Sequence, residues 1–507
     1  MKPISRRQAL KLIGITTLSG ILSACALQQP VPTWIEPTLA PTVTKTLRPT
    51  STPVPSRTPI PTDTPEPTKT LDPTPYFQRV LNTQPENLLA YWPLDDSVGS
   101  TTVRNPANPA ENGLPAKVTF GIPGIGDGKT AASFDGTGNI NISSTFLNGA
   151  FDGDEGSVII WAKVSSASIW NDFTQHEYFS IVGDTCALSL YRRDDNLFVA
   201  ERKIKTASKT VASMINTSNM TRTDWLCMGM TWSRANNQLK FYANGLPQST
   251  PATGLMAWEG ALGPNCLIGN NWSGSLSHVA LWNTALPDAQ MLALSQPFQT
   301  TTGGILLVFL GGNESDYTDA FTYMHPRGIR GNSYVVTALV ESRIKWYQLQ
   351  EMDAAGWSIG NNTATQPDLK SMAQADIETE LTTAQETLEY YGLTRASRHV
   401  AYPNDDNVAN APNLRAALTA TGMLTGLSSN SATIDQMYPQ TVDLYDLCAL
   451  TLKGTASSSI ADALMRGTIL GFNMNAPLAL LESTIDWIVA NQIPVYTIDD
   501  FYKLAKA

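Results

Sequence analysis

Few residues in this chain could do acid–base or metal chemistry. There are four histidines in 507 residues, and that scarcity limits any metal site built from imidazole. In the C-terminal part only His325 and His399 occur, and neither has a histidine partner four residues away to make a ligand pair. The carboxylates that could serve instead are Glu314 and Asp316, just beyond an apolar run, and Asp405 and Asp406, just beyond Ala401-Tyr402-Pro403. Acids in such polar stretches are usually solvated, and a catalytic role for them needs a pocket that perturbs them. The five cysteines have no close-spaced set, which argues against a thiolate zinc site, and the spacing fixes no pairing among Cys186, Cys227, Cys266 and Cys448.

The elements that must position these groups fall into blocks. At this length two folded domains with additional segments are expected. A formal charge of −10 without basic runs argues against nucleic acid as a partner. Residues 1–25 combine a positive start, Lys2, Arg6, Arg7 and Lys11, with an apolar run, Leu12 to Ala24, that is short for a membrane span. Ser5 to Lys11 resembles a twin-arginine export signal, and Leu22-Ser23-Ala24-Cys25 resembles a lipobox, in which Cys25 is acylated. The expectation is an exported protein held at the extracytoplasmic face of the membrane by its lipid anchor alone. Residues 26–85 are dominated by Thr and Pro, as in TPTDTPEPTKTLDPTP, have no apolar periodicity, and read as a disordered linker. As a semi-extended stalk it would reach on the order of 150 Å at about 3.1 Å per residue.

From residue 86 to 297 short alternating apolar runs stand between Gly, Asn, Asp and Pro clusters, the pattern of an all-β sandwich. The runs include Leu88 to Leu94, Ser157 to Val164, Asp224 to Trp232, Gln238 to Gly245 and Ser275 to Trp282. Tyr91 to Asp95, Phe134-Asp135-Gly136, Leu239 to Gly245 and Gly274 to Leu286, in this order, resemble the phrases of laminin-G-like and concanavalin-A-like jelly-roll domains. That resemblance implies glycan binding or a packing role beside a second domain. Trp170, Trp258 and Trp272 lie in polar, loop-like stretches and are the candidates for a sugar-stacking platform, whereas Trp92, Trp161, Trp225, Trp232 and Trp282 sit in strand patterns and read as core. Some relatives of this kind bind calcium through loop carboxylates, and Asp95, Asp96 and Asp135 are the oxygens on offer here. Ser277-His278 stands where relatives often carry Asp-Glu, so the calcium question stays open.

Residues 303–507 alternate apolar runs with helical spacing, the signal of an α/β layer or barrel. Ile305 to Phe309 reads as a buried parallel strand, Ile377 to Tyr391 and Ser483 to Asn491 as helices, and Ile493 to Leu504 as a closing strand and helix. Ile344 to Leu369, IKWYQLQEMDAAGWSIGNNTATQPDL, resembles the core of the polysaccharide deacetylases (NodB-type). The resemblance implies an incomplete (β/α) barrel with its site at the C-terminal strand ends, where a divalent cation activates water beside a carboxylate base and an imidazole acid. The family's ligand histidines fall on Asn362 and Gln366, its two catalytic aspartates on Leu310 and Gly311, and its acid histidine near Asn473. The scaffold pattern is kept and the chemistry is not, as in a pseudoenzyme. The leading expectation is therefore a surface-anchored, non-catalytic protein that binds polysaccharide or cell-wall glycan, with no metal or other cofactor in its barrel. The alternatives are a hydrolase of N-acetyl groups with relocated catalytic residues and a structural or protein-partner module.

Overall fold

The computed structural model describes residues 74–506, apart from 297–302, 405, 430–436, 440 and 455. The export signal, Cys25 and most of the Thr/Pro-rich stretch lie outside the described residues, as does Asp405.

The first folded region is two antiparallel sheets face to face. In the first sheet the strand Glu155–Val164 lies between Leu226–Ser233 and Ser273–Trp282, with Trp161 opposite Cys227 and Ser277. In the second, His176–Val182, Cys186–Arg192, Leu197–Ile204 and Lys209–Asn216 follow one another as a meander. Along Cys186–Arg192 burial alternates strictly, as a strand with one face on a core should. The core between the sheets contains Trp92, Trp170, Trp232 and Trp272.

The outer face of the first sheet is also covered, by the helices Tyr76–Asn82 and Asp288–Ser295 over Tyr91, Trp161, Trp225 and Trp282. This corrects the boundary expected at residue 85. Tyr76 and Val80, one helical turn apart, bury against the sheet, and the Tyr76 hydroxyl accepts a hydrogen bond from Trp161 Nε1 at 2.7 Å. Four apolar side chains at 76, 77, 80 and 81 are enough to recruit this turn, although the surrounding composition reads as linker. Cys186, Cys227, Cys266 and Cys448 are all buried.

The second region is a ring of parallel strands: Gly304–Gly311, Asn332–Val335, Ser358–Asn361, His399–Ala401, Thr425–Ser428, Leu447–Thr451 and Ile469–Asn473. Gly304–Gly311 pairs with both Asn332–Val335 and Ile469–Asn473, so the ring of seven closes. The expected incomplete barrel is corrected in this respect. An eighth strand, Val495–Tyr496, pairs only with the lower end of Gly304–Gly311. Leu306, Val308, Tyr334, Ala401, Leu427, Leu447, Ala449 and Ile469 share one buried cluster, which Ile498 and Phe501 of the last helix, Ile498–Lys506, join. Ile305, Leu307, Phe309, Val335, Ile359, Leu470 and Phe472 share another with the surrounding helices. The strands are therefore apolar on both faces, as a closed parallel sheet wrapped by helices requires. Gly360 makes room for Tyr334: a Cβ there would lie 2.5 Å from the tyrosine Cδ1.

The two regions share a buried seam. Met465, near the end of the helix Ser457–Arg466, belongs to the core of the sandwich, while Leu246 and Leu292 of the sandwich belong to the outer cluster of the barrel. The buried Arg222 guanidinium donates to the carbonyls of Leu464 at 3.2 Å and Met465 at 3.3 Å, and Asn244 Nδ2 donates to Leu464 at 3.2 Å. The Gly467 cap N–H also donates to the Leu464 carbonyl at 3.3 Å, so the sandwich adds donors to the C-terminal turn of a barrel helix.

Candidate functional site at the mouth of the barrel

The C-terminal strand ends form the mouth, and side-chain amides tie them together. Leu310 is the penultimate residue of its strand and Asn473 ends the adjacent one; Asn362 follows the end of a third. Asn475 clasps the backbone of Leu310, accepting from its N–H at 2.9 Å and donating to its carbonyl at 3.1 Å. Asn473 Oδ1 accepts from Asn475 N at 3.1 Å, which shapes the turn that brings the clasp into place. Asn362, fully buried, donates through Nδ2 to the Ala401 carbonyl at 2.8 Å. Asn361 donates to the Leu381 carbonyl at 2.9 Å and accepts from Thr363 N at 2.8 Å. Gly311 offers only its carbonyl, which accepts from Arg343 at 3.0 Å. Gln366 sits with φ +65° in a turn pinned by the Thr363 hydroxyl, on a loop whose Thr365 is held by the Glu380 carboxylate at 2.8 and 2.9 Å.

The four acids considered from sequence part company. Glu314 is exposed. Asp406 is buried and structural, accepting from Leu369 N at 2.8 Å with Lys370 Nζ 3.0 Å away. Asp316 is 1% exposed and lines a cavity of about 160 Å³ with Phe309, Asp319, Met474, Asn475 and Leu481. The Ser333 hydroxyl donates to its carboxylate at 2.8 Å, and burial pushes its carboxyl up to about 7. The histidines are elsewhere. His325 stacks on Phe321, and His399 opens its strand at the opposite end of the barrel, against Thr425 Oγ1 at 2.9 Å and the Tyr502 ring. Burial holds His399 down at about 4, so it stays neutral.

Sequence reasoning missed the burial of Asp316 because Asp316, Ala320 and Phe321 are the buried residues of one π-helical turn. The five-residue step from Asp316 to Phe321 falls off the i, i+3, i+4 pattern by which an inward face is recognised. The Asn475 clasp had a weak signal, two asparagines flanking Met474 at a strand end, the composition of a turn.

In the sandwich, Trp170 and Trp272 are fully buried. Trp170 Nε1 donates to the Arg222 carbonyl at 2.6 Å, and the two indoles lie 6.2 Å apart. Neither presents a ring face to a ligand, which corrects the expected three-tryptophan platform. Polar neighbours in sequence suggested loops, but Trp170 lies in a short helical turn capped by Ser166 that folds it onto the core. Trp258 alone is half-buried, edge-on to Phe151 at 5.2 Å with the Arg202 guanidinium 5.5 Å from its ring. The proposed calcium carboxylates do not converge either. Asp95 pairs with Arg104 and Lys129, Asp96 is buried and accepts from Arg104 N at 3.1 Å, and Asp135 accepts from the Thr137 hydroxyl at 2.8 Å. Among the described residues no three His, Cys, Asp or Glu come together as a metal ion needs.

Comparison with known proteins places a class beside this geometry. Residues 299–424 match the family model described as polysaccharide deacetylase. Among solved structures, domain 4 of an extracellular arabinanase from Geobacillus stearothermophilus, in complex with arabinotriose, is similar at 17% identity and TM-score 0.32, covering 41% of this chain and 98% of that one. The binding domain of botulinum neurotoxin serotype D is similar at 12% identity and TM-score 0.34, covering 44% and 54%. Its ligand-binding domain in complex with N-acetylneuraminic acid gives 10% identity and TM-score 0.34, covering 43% and 53%. Similarities this low carry no conclusion about the present chain. No curated protein matches.

The divalent metal that the deacetylase resemblance implies does not fit the mouth. Leu310 has no ligand atom and Gly311 no side chain, while the Asn362 amide is committed to a strand-end carbonyl and Asn473 to a turn. Carboxamides bind such ions poorly beside imidazole and carboxylate.

Proposed function

We propose that this chain is an exported, lipid-anchored protein that binds polysaccharide and whose barrel carries no deacetylase chemistry. The single observation behind the reading is the mouth itself: the positions where the family motif has charged groups hold leucine, glycine and amides, and Asn362 and Asn473 hydrogen-bond the scaffold instead. The glycan as ligand class rests on the family match over residues 299–424. Anchoring rests on the lipobox-like Leu22 to Cys25, and a Cys25→Ala protein is expected to leave the membrane fraction. The central test incubates the full-length chain with zinc, cobalt or nickel and acetylated chito-oligosaccharides, following acetate release, metal content and retention on immobilised glycans. Retention without acetate is expected. Stoichiometric metal with turnover would overturn the reading.

A second reading, a hydrolase of altered chemistry, is favoured by one feature. Asp316 sits in a cavity at the mouth with its carboxyl raised by burial to about 7, the range of a general acid or base. Turnover abolished by Asp316→Asn with retained folding would establish it.

A further inference from the structure

We propose that Trp346, Tyr347, Tyr390 and Tyr391 form a binding platform for a polysaccharide that carries free amino groups. The proposal rests on the polysaccharide-binding reading and adds where the polymer lies and what charge it bears.

Two helices meet here, Trp346–Ala354 and Gln374–Tyr390. Trp346 and Tyr391 are stacked with ring centroids 3.8 Å apart and planes 7° from parallel, and Tyr390 stands edge-on to Tyr391 at 5.1 Å. Tyr347 is the next residue after Trp346. Tyr390 is 78% exposed and Tyr347 63%, and in these two helices they are the exposed large apolar side chains. The support beneath them is fixed: Gln350 Nε2 donates to the Tyr391 carbonyl at 2.8 Å, and Trp346 N donates to Glu341 Oε1 at 3.2 Å. A preorganised ring surface loses little freedom on binding. Tyrosine rings with hydroxyl rims suit the CH faces and hydroxyl edges of pyranoses better than a purely aliphatic patch would.

Charge selects among glycans. The helix Gln374–Tyr390 carries Asp376, Glu378, Glu380, Glu386 and Glu389, and the helix Trp346–Ala354 carries Glu351 and Asp353; neither contains Lys or Arg. Glu386 lies one turn before Tyr390 and Glu351 one turn after Tyr347, both exposed, so each exposed ring has a carboxylate on its helix face. Glu351 also accepts from the Tyr317 hydroxyl at 2.8 Å. Basic groups that flank these helices in sequence are already paired. Lys345 lies 3.7 Å from Glu341, Arg395 lies 3.7 Å from the Asp353 carboxylate, and Arg343 donates to the Gly311 carbonyl. Such a surface repels polyuronates and attracts ammonium groups, which also gain from lying over an aromatic face.

The test uses the full-length chain in affinity electrophoresis against a soluble glucosamine polymer of low acetylation, the same polymer re-acetylated, and a polyuronate. The wild type is expected to bind the amino polymer and to weaken at least about fivefold with Tyr347→Ala/Tyr390→Ala, at an unchanged melting temperature. Tyr390→Phe should keep binding. Glu351→Gln/Glu386→Gln should weaken it and flatten its salt dependence. Wild-type binding by the double alanine variant would overturn the platform while leaving polysaccharide binding in place. Equal binding of the re-acetylated polymer would overturn the charge assignment. Self-association lost in the double alanine variant, with polymer binding intact, would assign the face to a second copy. No binding of any polymer by the wild type would sink both this proposal and the reading beneath it.

Discussion

The sandwich and the barrel satisfy their buried polar groups by different means. In the sandwich three guanidinium groups are all but fully buried, those of Arg192, Arg202 and Arg222, and each meets a carboxylate as well as backbone carbonyls: Asp172, Asp154 and Asp224. In the barrel the corresponding work is done by neutral amides. Asn332 donates to the Leu307 carbonyl at 3.0 Å and accepts from Ile498 N at 2.6 Å, and Asn361, Asn362 and Asn475 tie the upper strand ends. The sandwich places its charges where loops must be held against a core. The barrel ties its upper strand ends with amides at the positions where a hydrolytic metal site would concentrate charge.

The comparison can be broken first in the sandwich. Trp170→Ala removes a buried indole from the core and a hydrogen bond to the Arg222 carbonyl, and is expected to lower stability by about 3–5 kcal/mol. Trp258→Ala, at a half-buried ring, should lower it by less than about 2 kcal/mol. Denaturant melts of the two variants check this, and equal effects would contradict the division between core and surface tryptophans.

The next test concerns Asp316, the buried carboxyl of the mouth. The folded chain holds the Asp316 proton up to about 7 whereas the unfolded chain releases it near 4, so the stability this group contributes is complete below about pH 4 and is lost as pH rises through 7. Asp316→Asn removes that loss. The variant should match the wild type at acid pH and exceed it above pH 7, by on the order of 4 kcal/mol at most. Parallel stability curves across this range would show that the carboxyl is not isolated from water.

The smallest effect expected is that of Asn475→Ala, which deletes both hydrogen bonds to the Leu310 backbone. About 1 kcal/mol should be lost, because the freed groups are partly solvated. Amide hydrogen exchange at Leu310 should rise with it. Unchanged exchange would show that the clasp does not hold the mouth.

How much of this was legible in the chain depends on which force sets each feature. The sandwich strands and the apolar strand at Ile305 to Phe309 are written as local patterns of burial, and they appear where the pattern puts them. Helix Gln374–Tyr390 follows the spacing of Ile377, Leu381, Ala384 and Leu388. Ring closure was not legible, because pairing Gly304–Gly311 to two distant strands is a long-range fact. Trp170 and Trp272 were misjudged because polar neighbours mark a loop but do not say which way a side chain in it turns. At the mouth, residue types revealed what is absent, while the clasp of Asn475 and the burial of Asp316 depend on contacts across more than a dozen residues.

The seam between the regions has a consequence for biogenesis. The sandwich core is completed by Met465, a residue synthesised about 170 positions after the last sandwich helix ends at Ser295. At typical elongation speeds that is a delay of roughly ten to thirty seconds. Until then the sandwich core lacks Met465 and Arg222 lacks the Leu464 and Met465 carbonyls it will donate to. Translation order therefore makes the barrel helix Ser457–Arg466 the late-arriving plug of a domain that emerged first, and a chain truncated before it would present the open socket to chaperones and proteases.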